Sequence, residues 1–275
     1  MLTKLEPRQY HRLLPLFANL RYNLVIDSII AGNTPAWVYT DALEAPRLGL
    51  MWNRMDALLL GGEPGDGSAN RALNALIREQ IVPDARRRYI PELSLFCQPD
   101  IWEPYLGDVL DGLEPEIAWR RYYRFNRAGL DWRARVPSGC EILPINSGLL
   151  SDRGLENVDQ LTGWVNSFWR SDRDFVENGF GFCLLHSGAL ASWCLSVYVH
   201  GADFELGLAT HPDYRRRGYA ALVAAASVEH CQSRGFTPHW HCWEENRPSI
   251  AIAEKVGFTD PVHYPVYRFQ SQPLV

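Results

Sequence analysis

One stretch constrains this chain more than any other. From Asp203 to Ala220 an apolar run of strand character meets a Pro-bearing turn and three consecutive arginines, Arg215, Arg216 and Arg217; a glycine, Gly218, then opens an Ala-rich helix. The first amides of a helix have no carbonyl partners within it, and the aligned peptide dipoles add partial positive charge at that end. The backbone from Arg216 through Tyr219 to Ala220 can therefore hold a phosphate. Gly218 lets such a ligand come close to the main chain. The arginines can neutralise further charge, at least one of them through two parallel hydrogen bonds.

A chain of 275 residues with 47% hydrophobic content can build two ordinary cores or one large one. A net charge of -5 argues against a general nucleic-acid partner. Six cysteines are spread without a C-x-x-C pair, so neither a metal knuckle nor a disulfide framework is expected, and reduced thiols fit a cytoplasmic setting. With Ser187-Gly188 as a tight hairpin turn, Cys183 is expected opposite Ser192. The N-terminus lacks an apolar core of signal-peptide length, and the longest apolar run, Ala189 to Val199, is too short to cross a bilayer. The expectation is a cytoplasmic protein with no membrane partner and no metal.

Apolar spacing predicts helices up to about Ile30, ended by Gly32-Asn33. Short strands follow at Ala36 to Tyr39, Arg47 to Trp52 and Ala57 to Leu60, then a glycine-rich turn, a helix from Ala69 to about Ile81, a strand at Leu93 to Cys97 and a helix from Asp100. The second half predicts a strand near Glu141, helices between Asn157 and Trp169, a hairpin from Phe182 to Val199, the strand from Phe204, the helix from Gly218, a strand at Pro238 to Trp243 and a last helix. The fold class is α/β (α+β), a mixed central sheet flanked by helices and preceded by a second α/β domain. The domains divide as residues 1–131 and 132–275.

Arg215-x-x-Gly218-x-Ala220 resembles the [Gln/Arg]-x-x-Gly-x-[Gly/Ala] signature of the GNAT superfamily of acyl-CoA-dependent N-acyltransferases. Asn246 to Phe258 is similar to that family's closing Asn, helix and Gly-Phe element. The resemblance covers about Trp132 to Val275. It implies acetyl-CoA as acyl donor, a pyrophosphate held by Arg215 to Ala220, further contacts from Leu208, Ala209, Thr210, Asn246 and Ser249, and direct transfer to an amine in a ternary complex. It also implies that the strand Leu208 to Thr210 splays from Pro238 to Trp243, leaving a backbone amide to meet oxyanion charge. The first half repeats part of the same element order and is read as a diverged GNAT-like half, with an unrelated α/β domain as the alternative. Glu63 and Asp66 in its turn would repel a pyrophosphate.

An amine of pKa near 10.4 must lose a proton before it attacks, which at pH 7 costs about 4.6 kcal/mol. His241 is the first candidate base, with an imidazole suited to neutral pH, and Glu205 the second. Either histidine of this strand, His239 or His241, can instead simply pack beside tryptophans. Ala253 stands where many members of the family carry an acidic tyrosine, which leaves water, Cys242 or Tyr264 for that step. Trp164, Trp169, Trp193, Trp240 and Trp243 are read either as an acceptor cleft or as core. The acceptor is a small-molecule or peptide amine, and the rival reading is a catalytically silent acyl-CoA sensor.

Overall fold

The computed structural model describes residues 2–272. They group into two compact units, one comprising the chain up to Arg120 and again from Tyr264, the other Arg121–His263. The chain thus changes unit once inside a strand at Arg120/Arg121 and again inside its last strand, whereas a linear reading places one division at residues 131/132.

The first unit carries β1 (Thr3–Lys4), a 3-10 helix (Pro7–Leu20), α1 (Val25–Ile30), β2 (Trp37–Thr40), β3 (Leu48–Trp52), β4 (Ala57–Gly62), α2 (Gly67–Leu76), α3 (Val82–Arg87), β5 (Glu92–Phe96), α4 (Pro99–Trp102), α5 (Leu106–Val109) and the start of β6 (Glu116–Phe125). The expected first helix takes the tighter 3-10 form, and Pro15 lies inside it: proline has no N–H to donate and its ring crowds the carbonyl four residues back. Its buried face, Tyr10, Leu13, Phe17 and Leu20, keeps the helical spacing that made it legible. Strands β1 to β4 pair antiparallel in sequence, and β4 pairs parallel with β5. The end of the chain's last strand pairs antiparallel with β5 through Tyr267–Gln270.

The second unit carries the rest of β6, then β7 (Cys140–Pro144), α6 (Ser147–Ser151), α7 (Val158–Phe168), α8 (Asp172–Asn178), β8 (Gly181–His186), β9 (Ala189–His200), β10 (Asp203–Thr210), α9 (Tyr219–Arg234), β11 (Thr237–Trp243), α10 (Arg247–Val256) and the start of β12 (Phe258–Gln270). Its strand order is β6-β11-β10-β9-β8-β7. β7 to β10 pair antiparallel, and β10 pairs parallel with β11 across the α9 crossover. β9 is buried along nearly its whole length, which explains the largely apolar run from Ala189, interrupted only by the buried Ser192 and Ser196: a central strand covered on both faces has no polar side to present. Val223, Ala224, Ala225 and Val228 of α9 and Ile250, Ala253 and Val256 of α10 share a core with Leu206, Trp240 and Cys242.

One expectation about the hairpin is corrected. The register shifts between Leu184 and Leu185, so Cys183 stands opposite Trp193 and Phe182 opposite Cys194. A bulge adds one residue on one strand and displaces every later pair, which counting back from a turn does not reveal. All six cysteines are free thiols.

Candidate active site

The run from Arg215 to Ala220 forms the mouth of α9. Arg216 and Gly218 both take left-handed backbone, with φ of 61° and 81°, and Gly218 occupies the N-cap position of α9. No side chain caps this helix and its first turn holds no acidic residue, so the leading amides are not consumed by a carboxylate or hydroxyl. A Cβ built on Gly218 would meet nothing within 4 Å, so glycine answers here to the backbone angle and to the open space beside it. Arg215, Arg216 and Arg217 are exposed. Arg215 Nε donates to the Thr210 carbonyl at 3.4 Å, while Arg217 donates to the Asp213 carbonyl at 3.2 Å and lies over the Tyr214 ring. The Tyr219 side chain turns inward and its hydroxyl meets His186 Nδ1 at 2.6 Å, so what Tyr219 offers the mouth is its backbone.

β10 and β11 are paired over only three positions, Asp203↔Thr237, Phe204↔Pro238 and Glu205↔His239. β10 continues along β9 to Thr210, with a register shift between Glu205 and Leu206 at the point where the β11 ladder ends. Past that point the edge of β10 toward β11, which includes Leu208, Ala209 and Thr210, has no ladder partner among the described residues. Ser192 Oγ donates to the Ala209 carbonyl at 2.9 Å and lies 2.9 Å from Thr210 Oγ1, fixing this segment from the β9 side. A bulge beside a wedge of this kind is a common way of re-aiming side chains at a site.

Strand alternation sorts the chemistry onto two faces. Leu206, Trp240 and Cys242 point into the α9 and α10 core. Asp203, Glu205, His239 and His241 therefore lie on the other face. Glu205 is 9% exposed. His239 Nε2 sits 2.8 Å from Asp203 Oδ1. The ring of Tyr122, on β6, stacks on His241 at 4.9 Å and on His239 at 5.9 Å. Burial pushes the Tyr122 hydroxyl above its ordinary value, and the charges of Asp203 and Glu205 push the same way against Arg124. Two carboxylates, two imidazoles and a phenol thus share one surface. Trp164 of α7 stands over the same face, close enough that a Cβ on Gly207 would meet its ring at 3.2 Å, and it contacts Trp193 edge-on at 6.3 Å.

The remaining sequence candidates fall elsewhere. Cys242 is 4% exposed in the helix-side core, and Ala253 is fully buried there. Tyr264 belongs to the first unit, where its ring meets Tyr22 at 4.9 Å. Trp240 also faces the core and donates to Ser249 Oγ at 3.2 Å, while Trp169 donates to the Ser196 carbonyl at 2.9 Å. Asn246 caps α10, its Oδ1 accepting from the Ser249 amide at 3.1 Å.

Glu244, just past the end of β11, is clamped by Arg121, which donates through Nε at 2.6 Å and through Nη2, and it lies 3.1 Å from His263 Nδ1. The Arg121 hydrogen bonds hold its carboxyl below the ordinary 4.5. A carboxyl whose folded value is depressed stabilises the fold fully above its unfolded value and loses that contribution as pH falls through the folded value. Glu244→Gln is thus expected to lower Tm near pH 7, with the gap from wild type closing below about pH 4.5; thermal melts across that range check it.

The first unit repeats the arrangement with the opening closed. β4 leads through a turn to α2 as β10 leads to α9, and β4 and β5 pair parallel only over Ala57 to Leu59. Asp66 caps α2, its Oδ1 accepting from the Ser68 and Ala69 amides at 3.0 Å. The buried Trp102 donates its indole N–H to the Gly62 carbonyl at 3.1 Å, filling the end of β4. A carboxylate occupies the amides an anion would need, and Glu63 adds a second negative charge at the turn, paired with Arg47 at 3.2 Å.

Comparison with known proteins places these observations. A family model described as GNAT acetyltransferase matches residues 14–267, which includes the half without the glycine signature. The uncharacterized N-acetyltransferase YdfB of Bacillus subtilis (strain 168) is 24% identical over 267 residues, covering 97% of this chain and 98% of that protein. Among solved structures, a GCN5-related N-acetyltransferase-like protein from Streptococcus suis 89/1591 superposes with a TM-score of 0.68 at 21% identity, covering 95% of this chain and 98% of that one. A tandem GNAT protein from the clavulanic acid biosynthesis pathway gives 0.58 at 14% identity, with 100% and 99% covered. At such identities the structural likeness speaks for the fold, here one with two GNAT-like halves.

Proposed function

This chain belongs to the GNAT acetyltransferase family, and we propose that it transfers an acetyl group from acetyl-CoA to a primary amine by direct transfer within a ternary complex. The observation that carries the reading is the coincidence, in the second unit alone, of an uncapped, arginine-flanked helix start with two parallel strands that part beside a buried carboxylate. The residues fit a diphosphate-bearing donor. The amides from Arg216 to Ala220 and the guanidinium groups of Arg215 to Arg217 hold its phosphates, with Asn246 and Ser249 at the start of α10 offering polar contacts to its arm. When bound, the donor supplies the thioester carbonyl that the acceptor nitrogen attacks. The edge of β10 from Leu208 to Thr210 offers backbone N–H groups to that oxygen as charge grows on it.

Glu205 and His241 supply the bases. Glu205 sits at the last paired position before the strands part and takes the amine's proton onto its carboxylate. His241, held flat against Tyr122, supports proton removal from the β11 side. Glu205→Gln is expected to lower kcat by on the order of 100-fold, and His241→Ala to lower kcat/KM by about tenfold, most near neutral pH, with acetyl-CoA affinity nearly unchanged in both. Thiol release followed from pH 6 to 9 checks this, and an unaltered pH profile in His241→Ala clears that residue.

The acceptor is a cationic amine, in keeping with the net charge of -5 and the two carboxylates on the face. Calorimetric titration with acetyl-CoA followed by thiol release across a panel of amines tests the whole reading. Tight binding without release on any amine would favour the silent sensor, a reading motivated by Ala253, buried where many relatives of this kind carry a phenol.

A further inference from the structure

We infer that the Asp203–His239 pair is a proton store serving Glu205, a positioning and relay element beyond the residues that contact donor or acceptor. The inference rests on the acetyltransferase reading above. Asp203 can only accept a hydrogen bond, so at 2.8 Å His239 Nε2 must carry the proton between them. That leaves Nδ1 as a bare lone pair, and Nδ1 is buried with no hydrogen-bond partner among the described residues. A buried acceptor left open in this way costs free energy unless something uses it.

Position says what uses it. His239 and Glu205 are register partners on adjacent parallel strands, on the same face, at the point where β10 and β11 part. Behind the imidazole, Asp203 is 43% exposed in its side chain, whereas the His239 side chain is only 15% exposed. The ring is thus hydrogen-bonded to a carboxylate in contact with water, and its register neighbour carries a buried one. The charged and titratable groups facing it are Asp203 and Glu205 from β10, Tyr122 and, through Tyr122, Arg124 from β6, and His241 on its own strand.

Each transfer turns an ammonium acceptor into an amide and sheds one proton, which Glu205 takes first. If Glu205 kept it, the next acceptor would meet a neutral acid instead of a base. When the Glu205 carboxyl turns toward its register neighbour, His239 Nδ1 accepts that proton, so that Glu205 returns to carboxylate and the imidazole becomes an imidazolium held against Asp203. Once the product has left and water enters beside Nδ1, the imidazolium gives that proton to the entering water, and the lone pair on Nδ1 is restored. No other reactant is needed.

The test compares wild type with His239→Ala and Asp203→Asn, each first shown to keep its melting temperature within a few degrees and its acetyl-CoA affinity by calorimetry. Thiol release is then measured with an amine from the panel, at low buffer and with rising imidazole. The expected result is a kcat about tenfold lower in His239→Ala with KM unchanged, restored by imidazole, which does nothing to wild type. Undiminished kcat at low buffer, or a loss that imidazole does not repair, overturns the proposal. A second measurement needs no acceptor: nitrogen NMR of the imidazoles should find His239 as the Nε2–H tautomer, with its Nδ1 resonance displaced in Glu205→Gln. An Nδ1–H tautomer, or an Nδ1 resonance indifferent to Glu205→Gln, overturns it too. If wild type acetylates no amine at all, the acetyltransferase reading fails on that arm, while the NMR arm still decides whether His239 and Glu205 share a proton.

Discussion

Gly218→Asp is expected to weaken acetyl-CoA binding by at least on the order of 100-fold, about 2.7 kcal/mol, while leaving the fold intact. The expectation comes from the molecule's own control. In the first unit Asp66 occupies the equivalent cap position and takes the Ser68 and Ala69 amides at 3.0 Å, whereas α9 has no capping side chain. A carboxylate at residue 218 would take the corresponding amides and add like charge where the proposed donor's phosphates would sit. Aspartate is among the side chains that tolerate the left-handed angle of 81° at this position, and a Cβ there meets nothing within 4 Å, so the damage should be confined to binding. Calorimetry paired with a thermal melt reads both quantities. An affinity within threefold of wild type would remove the α9 mouth from the donor site.

The largest effect on stability is expected from Gly257→Ala, a loss of about 3–5 kcal/mol. Gly257 ends α10 with a φ of 109°, and its added Cβ would lie 1.7 Å from the Arg127 carbonyl oxygen, an overlap with backbone that no rotamer relieves. The neighbouring main chain is tied down as well, since the Asn126 amide donates to the Gly257 carbonyl at 3.1 Å. Gly188→Ala separates angle from space, because Gly188 has a φ of 87° with nothing near its Cβ. That variant should cost only about 1 kcal/mol. Thermal melts of the two side by side check the ratio, and equal losses would mean that the contact with Arg127 is not what fixes glycine at 257.

Much of the second unit could be read from its residues because its signals are local. Arg215-x-x-Gly218-x-Ala220 sits in one turn, and Asn246 and Gly257 bracket α10 with a side-chain cap at one end and a left-handed glycine at the other. Two strands that enter the second unit escaped. β6 carries Arg120, Arg121 and Arg124 among its apolar residues, so its period of two is broken, and with it went Tyr122. β12 contains Pro261 and Pro265, which argue against a strand when neighbours are unknown. The pairing of Asp203 with His239 was invisible for another reason: the two residues are 36 apart and meet only because the α9 crossover brings β11 beside β10. The 3-10 form of the first helix shows the converse, where the apolar spacing was right and Pro15 decided the geometry.

The sealed cap at Asp66 and the indole of Trp102 lodged at the end of β4 bear on how the chain counts its ligands. Two halves of common architecture invite the thought of paired, communicating sites. On the function proposed above, with one of them shut by its own side chains, a single polypeptide would be univalent for the donor, and a sigmoidal equilibrium binding curve would point to coupling between separate chains, since coupling requires two distinct sites to be filled.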